Sequence, residues 1–181
     1  MSNQQTLPDE RKSLVVLFKT KALKNYGCAK MLQHLLNRSE QCNCKIEITE
    51  LKTFRMTRRQ AEEFYAEHKG KDFFNKLVAF MTSNKIVAIR VEYDGNDKDF
   101  IKRFRRDVIG STNPNKAEPG TMRYCFGDGE AFELGVPSNA VHCSDSEESA
   151  DREGKIVFDD WKQHPQQKGW AASAHPFNYI N

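Results

Sequence analysis

No stretch of about 18 consecutive apolar residues occurs in the 181-residue sequence, so no membrane-spanning helix is expected. The first eleven residues are polar and lack an apolar centre, so they do not read as a secretory signal. Charge of one sign is nearly absent in excess: the net charge is +3, a weak argument for an anionic partner that a nucleotide alone would satisfy. Cysteine is sparse and odd in number, five in all, and Cys42-Asn43-Cys44 lacks the Cys-x-x-Cys spacing of a zinc site. Free thiols in a reducing compartment, the cytoplasm, are expected. No Pro- or Gly-rich linker divides the chain, so one domain with a single core is expected. Asn37-Arg38-Ser39 matches a glycosylation acceptor but carries no meaning without a secretory signal.

What is present alternates between strand and helix patterns. Leu14–Lys19 reads as a buried strand, Tyr26–Arg38 as a helix, and Lys45–Leu51 as a half-buried strand by strict alternation. Thr57 with Gln60 forms a capping box that opens a helix to about His68, ended by Gly70. Asp72 caps the next helix, Ile86–Tyr93 is a strand, and Asp97 opens a helix whose apolar stripe is Phe100, Phe104 and Val108, stopped at Gly110. An irregular stretch follows to about Ser138. A short strand at Ala140-Val141-His142 then leads into a last helix. Ser144 is its expected N-cap, boxed with Glu147, and the helix runs to about Phe158. A phosphate on His142 would feel the positive end of that helix. The order β-α-β-α-α-β-α-β-α fits an α+β sandwich with a four-stranded antiparallel sheet.

Asn139-Ala140-Val141-His142-Cys143-Ser144-Asp145-Ser146 is the most informative segment. Alone, a lone histidine near a capping box is an ordinary strand-end histidine. The octet nevertheless resembles the active-site signature of nucleoside diphosphate kinases, and other blocks follow that family's order. Lys19 closes the run Leu14-Val15-Val16-Leu17-Phe18. Phe64-Tyr65 and Phe73-Phe74-Asn75-Lys76-Leu77-Val78 resemble the nucleotide-clamping helical hairpin. Arg106-Asp107-Val108-Ile109-Gly110-Ser111-Thr112-Asn113-Pro114 with Pro119-Gly120-Thr121-Met122-Arg123 resembles the phosphate-binding loop.

The resemblance covers roughly residues 13–158, with residues 1–12 as a flexible arm and 159–181 as a tail that wraps a surface or a neighbouring subunit. It implies a ferredoxin-like sandwich and ping-pong transfer of a γ-phosphoryl group between nucleotides through a phosphohistidine at His142. By the same resemblance, Glu153 orients the imidazole, Ser144 bonds near the phosphate or Glu153, and Tyr65 approaches His142. Lys19, Arg106 and Arg123 form a cationic clamp, aided by Thr112. Asn139 and Lys19 take the sugar hydroxyls. Phe73, Leu77 and Val136 enclose the base through its faces, which discriminates poorly between bases. Magnesium (Mg2+) is carried on the nucleotide phosphates rather than in a protein cage. A homo-oligomer, first of all a hexamer, is implied by the 111–120 loop.

The sequence also departs from the family pattern. Thr20-Lys21-Ala22 replaces the usual Pro-Asp-Gly after the first lysine, which leaves the position of Lys19 open. Cys143 replaces glycine beside His142 and adds a thiol that would sensitise activity to oxidation. About six extra residues near Gly127–Glu130, with acidic Asp128, Glu130 and Glu133, fall beside the base slot. The altered residues after Lys19 and Cys143 are the features that favour a second reading, a catalytically weak kinase-like module serving as a regulatory or partner-binding domain. A third, nucleic-acid binding through Lys102, Arg103, Arg105 and Arg106 with Phe100 and Phe104, is disfavoured because those aromatics have core spacing.

Overall fold

A computed structural model describes residues 10–128 and 139–161. The elements in order are β1 (Arg11–Phe18), α1 (Thr20–Tyr26), α2 (Cys28–Gln41), β2 (Glu47–Phe54), α3 (Arg58–Phe64), a 3-10 turn (Ala66–His68), α4 (Phe74–Ser83) and β3 (Ile86–Asp94). Then come α5 (Phe100–Arg103), which widens into a π-helical segment (Phe104–Ile109), a 3-10 turn (Pro114–Lys116), α6 (Met122–Phe126), β4 (Val141–Cys143) and α7 (Glu147–Val157). Each strand pairs antiparallel with its neighbours in the order β2-β3-β1-β4. This is the ferredoxin-like α+β arrangement, with β1 and β3 at the centre.

The two central strands are apolar because both of their faces are covered. Leu14 to Phe18 and Ile86 to Ala88 are buried in succession rather than alternately. The exceptions on β3 are Arg90 and Glu92, also buried. The edge strand β2 alternates between exposed and half-buried residues, with a register irregularity between Ile48 and Glu50. Phe100, Phe104 and Val108 are all buried, so that stripe is core, as its spacing indicates. The basic cluster above it is partly paired, Arg103 with Asp97 just before the helix at 2.8 Å and Arg106 with its neighbour Asp107 at 2.6 Å.

Several boundaries differ from expectation for identifiable reasons. β1 starts at Arg11, whose register partner is Asp94, so Arg11 and Lys12 belong to the sheet. Helix α1, absent from the sequence reading, buries only Ala22 and so carries almost no periodic signal. The Thr57–Gln60 capping box is present in full. Asp72 is not a cap; α4 begins after Phe73, with no side-chain cap. Asp97 accepts from Arg103 instead of capping α5, whose first residue is Phe100. The N-cap of α7 is Ser146, boxed with Ser149, not Ser144 with Glu147. Ser144 is already committed to the sheet and to α7 itself: Val15 N–H donates to its Oγ, and its hydroxyl donates to Glu153.

Trp161 packs on its own chain, stacked over the Arg90 guanidinium at 4.8 Å and against Gly154. Trp170, Phe177 and Tyr179 lie outside the described residues, as do Val136, Glu130 and Glu133.

Candidate active site

A cleft of about 290 Å³ opens between the α3–α4 hairpin, the end of β1, the 104–112 segment and β4. His142 lies in its wall. The residue is the middle of the three-residue strand β4, and its register partner is Leu17. Side chains alternate along a strand. The buried neighbours Val141 and Cys143 therefore anchor the strand in the core while the half-buried imidazole takes the opposite face.

The ring is fixed from three sides. Phe64 meets it edge-on with ring centres 4.9 Å apart, and Tyr65 does so at 5.8 Å. Nε2 lies 2.9 Å from Oε2 of Glu153, a residue on the second turn of α7 that is almost fully buried. Ser144 Oγ donates to the same carboxylate oxygen at 2.7 Å. A carboxylate can only accept, so the imidazole proton is held on Nε2. Nδ1 then keeps its lone pair, the state a nucleophile needs.

The expected helix-terminus field is not what surrounds His142. The first turn of α7 carries Glu147 and Glu148, its Ser149 N–H donates to Ser146 Oγ, and Ser149 Oγ accepts from the N–H groups of Asp145 and Ser146 just before the helix. None of Glu147, Glu148 and Ser149 lines the cleft. Fixed cations surround it instead. Lys19 Nζ donates to Asn139 Oδ1 at 2.5 Å, and Lys19 N–H donates to the Ala140 carbonyl at 2.9 Å. Thr20-Lys21-Ala22 thus forms the start of α1 without displacing Lys19. Burial, with Arg123 nearby, pulls the Lys19 ammonium down to about 7.

Arg123 is buried and locked: Nε donates to the Val141 carbonyl and one terminal nitrogen to the Gly110 carbonyl, both at 2.9 Å, and to Thr112 Oγ1 at 3.4 Å. Burial lowers its pKa to about 10, which leaves it charged at neutral pH. Asn139 Nδ2 donates to the Thr112 carbonyl at 3.3 Å, tying the 111–120 loop to β4. Tyr65 has a buried hydroxyl with no partner among the described residues, and burial, then the Glu153 and Glu67 charges, push its pKa up. It stays a proton donor.

Of the residues singled out in the sequence, the cleft brings together Lys19, Tyr65, Phe73, Leu77, Thr112, Arg123, Asn139, His142 and Glu153. Ser144 stands behind, buried, and acts on Glu153 rather than on a ligand. Val136 lies outside the described residues. Arg106 is a correction. It does not line the cleft; its side chain is 64% exposed and its Nε and a terminal nitrogen both bond the carboxylate of its own neighbour Asp107.

The sequence reading missed Arg105, His68, Phe80, Glu67 and Asp145, all of which line the cleft. His68 follows Tyr65 by three residues and stacks on its ring at 6.2 Å, and Phe80 lies two helical turns beyond Phe73, so periodicity extended from those residues would have found both. Cys143 is buried, and burial pushes its thiol up to about 12, so it is a protonated part of the wall. Such a thiol is a poor target for oxidants, against the expected sensitivity.

Among the described residues no group of three or more His, Cys, Asp or Glu could hold a metal ion, and no helix is long and apolar enough to cross a membrane. A family model described as nucleoside diphosphate kinase matches residues 13–162. The nucleoside diphosphate kinase of Methanocaldococcus jannaschii is 42% identical over 129 residues, 71% of this chain and 83% of that protein. That of Rubrobacter xylanophilus is 42% identical over 129 residues, 71% of this chain and 87% of its own length. The solved structure of the Aquifex aeolicus nucleoside diphosphate kinase superposes with a TM-score of 0.65 at 33% identity, covering 81% of this chain and 94% of that one. A halophilic nucleoside diphosphate kinase from Halobacterium salinarum, solved in complex with CDP, gives a TM-score of 0.64 at 28% identity, over 84% of this chain and 90% of that one.

Proposed function

The chain belongs to the nucleoside diphosphate kinase family and is a phosphotransferase of nucleotides; we propose that the γ-phosphoryl group travels through a covalent intermediate on Nδ1 of His142. The observation that carries this is the 2.9 Å contact of Nε2 with the buried Glu153 carboxylate, in a cleft walled by Lys19 and Arg123. The Nδ1 lone pair attacks the γ-phosphorus, and the bond to the β–γ bridging oxygen breaks. The nucleoside diphosphate leaves with that electron pair. The imidazole, now bearing phosphate and still protonated on Nε2, carries positive charge that Glu153 balances. A terminal β-phosphate oxygen of the second nucleotide then attacks the same phosphorus, and the Nδ1–P bond breaks.

Arg123, Thr112 and Lys19 supply donors and charge to the phosphates. Asn139 and Lys19 take the sugar hydroxyls. The base lies against Phe73 and Leu77, contacts that use its faces and favour broad base acceptance. Magnesium would be carried on the nucleotide, since among the described residues no group of three or more His, Cys, Asp or Glu could hold it; Glu67, which also bonds Arg152, and Asp145 are carboxylates of the wall that could bond its waters. When bound it neutralises phosphate charge.

We further propose a homo-oligomer, a hexamer in the first instance, and a cytoplasmic setting, which the five free cysteines suit. The kinase reading is the one the relatives support, and the weak-module reading is not. Incubation with γ-labelled ATP should yield an acid-labile, base-stable phosphoprotein that chases onto added nucleoside diphosphate. The variant His142→Ala should yield none while keeping its melting temperature. Label retained by that variant overturns the mechanism.

A further inference from the structure

We propose that Trp161 is a positioning residue for the transfer: packed against both α7 and β3, it fixes the turn of α7 that holds the Glu153 carboxylate against His142. The inference rests on the transfer reading for the role of Glu153. Strand pairing decides which side chains meet α7. Leu17 of β1 is opposed by Ala88 of β3 on one side and by His142 of β4 on the other. Directly opposed residues share a face, and side chains alternate along a strand. Val15 with Arg90 and Ser13 with Glu92 are the next opposed pairs on that face, so both charged residues of β3 lie on the His142 side of the sheet. Helix α7 covers this side, since Glu153 reaches His142 from it.

Arg90 and Glu92 are buried there and held in place. Arg90 Nε donates to Ser13 Oγ at 3.3 Å and lies 3.8 Å from Glu92 Oε1. Glu92 accepts from Thr49 Oγ1 at 3.2 Å and from Arg11 at 3.4 Å. The indole of Trp161 lies over the Arg90 guanidinium, 4.8 Å from it, a contact that ring quadrupoles favour. Phe158, where α7 ends, stacks on the same indole at 5.6 Å. The helix itself meets the indole at Gly154. A Cβ there would come within 2.0, 2.1 and 2.4 Å of three ring carbons, so the helix backbone lies closer to the ring than any other residue type permits.

Gly154 directly follows Glu153. One oxygen of that buried carboxylate serves two donors, His142 Nε2 at 2.9 Å and Ser144 Oγ at 2.7 Å. Both donors belong to β4 and the residue after it, and the acceptor belongs to α7. Their separation is therefore set by how closely α7 lies on the sheet. Hydrogen bonds weaken steeply with distance and angle, and misplacement by about 1 Å costs about 100-fold in rate. The stack of Gly154, Trp161 and Arg90 is a spacer one residue from the carboxylate, and Ser13 and Glu92 keep its floor still. Stability alone does not call for an arginine at this place, because apolar replacement of a buried ion pair is often neutral or stabilising.

Kinetics and proton NMR of the full chain test the assignment. Trp161→Ala should lower kcat about 10-fold, the effect of a displacement well under 1 Å. KM for nucleotide should not change, because Lys19, Arg123 and Asn139 belong to other elements. Trp161→Phe keeps a ring over Arg90 and should recover most of the loss. In the nucleotide-free protein the His142 Nε2 proton, bonded to a carboxylate, should resonate far downfield, shift upfield in Trp161→Ala and return in Trp161→Phe. A residue that only adds stability would leave that resonance unmoved in the folded variant. The double variant Gly154→Ala with Trp161→Ala should melt higher than Trp161→Ala alone, because the new methyl enters the vacated space. Wild-type kcat in Trp161→Ala, a loss confined to KM, or an unshifted Nε2 proton overturns the proposal. If Trp161→Ala does not fold, Gly154→Ala supplies the same comparison and should show the same loss in kcat alone. If the wild type forms no phosphoenzyme, the transfer reading fails, and the Nε2 proton still decides whether Trp161 sets the His142–Glu153 contact.

Discussion

Lys19 and Asn139 are 120 residues apart in sequence, and Lys19 Nζ donates to Asn139 Oδ1 at 2.5 Å across the mouth of the cleft. The contact ties the end of β1 to the chain entering β4. It also makes Lys19 a buried ammonium whose partner is a neutral amide, with Arg123 close by.

The pKa of about 7 for Lys19 has two consequences of opposite sign for binding and folding. An anionic nucleotide favours the protonated form, so binding should take up a proton between about pH 7 and 8.5, and affinity should fall as pH rises through that range. For folding, the unfolded chain holds this proton up to the ordinary lysine value and the folded one only to about 7. The unfolded state therefore binds more protons, and Lys19 contributes stability that grows as pH rises from 7 towards 10. Lys19→Met should raise stability near pH 7 by about 1–2 kcal/mol, flatten that pH dependence and abolish tight nucleotide binding. Calorimetric titrations in buffers of different ionisation heat check the first statement, and denaturant melts at several pH values check the second.

In the proposed transfer Glu153 acts through His142, so its removal should alter the rate more than the affinity. Glu153→Gln can still accept the Nε2 proton but cannot balance the charge of the phosphorylated imidazole. A fall in kcat of roughly 100-fold is expected, with KM for nucleotide changed little. Ser144→Ala removes both the bond to Glu153 and the acceptor for Val15 N–H. That should lower stability by about 1–2 kcal/mol and the rate less than Glu153→Gln does. Paired kinetics and chemical denaturation of the two variants separate these effects.

These sites show which physical signals are present in a sequence and which are not. Leu14–Phe18 and Ile86–Tyr93 were legible because double-sided burial makes their residues apolar, apart from Arg90 and Glu92. Thr57 and Gln60 were legible because a capping box needs two residue types at one spacing. Ser144 was misread because the same octet offers two serines, and only the sheet reveals that Ser144 is already bonded to Val15 and Glu153. The cleft was legible as a set: Lys19, Tyr65, Phe73, Leu77, Thr112, Arg123, Asn139, His142 and Glu153 do meet. The Arg105–Arg106 pair was not, because a period of 3.6 residues cannot show where a helix widens to π geometry.

Gly154 offers a test of the tail. Alanine normally improves a helix interior by about 1 kcal/mol relative to glycine. Here a Cβ would lie 2.0 Å from the Trp161 ring, which is rigid and buried. Gly154→Ala should therefore destabilise by about 1–3 kcal/mol, or expel Trp161 and red-shift its fluorescence. Since Gly154 adjoins Glu153, the displacement should also reduce turnover. An alanine variant that melts higher than the wild type would show that Trp161 does not pack on this helix.

Cys143 is beside His142 in sequence, yet its burial and raised pKa argue that it does not react. Thiol chemistry needs the thiolate and a path to it. Cys28, Cys42 and Cys125 are more accessible. In the folded protein a disulfide reagent should label those three first and leave Cys143 untouched until denaturant is added, with activity following Cys143 rather than total labelling. Peptide mapping after partial labelling reads this directly. A Cys143→Gly variant should retain the reaction, with a stability loss of about 1–2 kcal/mol from the small cavity and the freer backbone. Rapid labelling of Cys143, matched by inactivation that this variant resists, would instead make the thiol an accessible redox switch on His142.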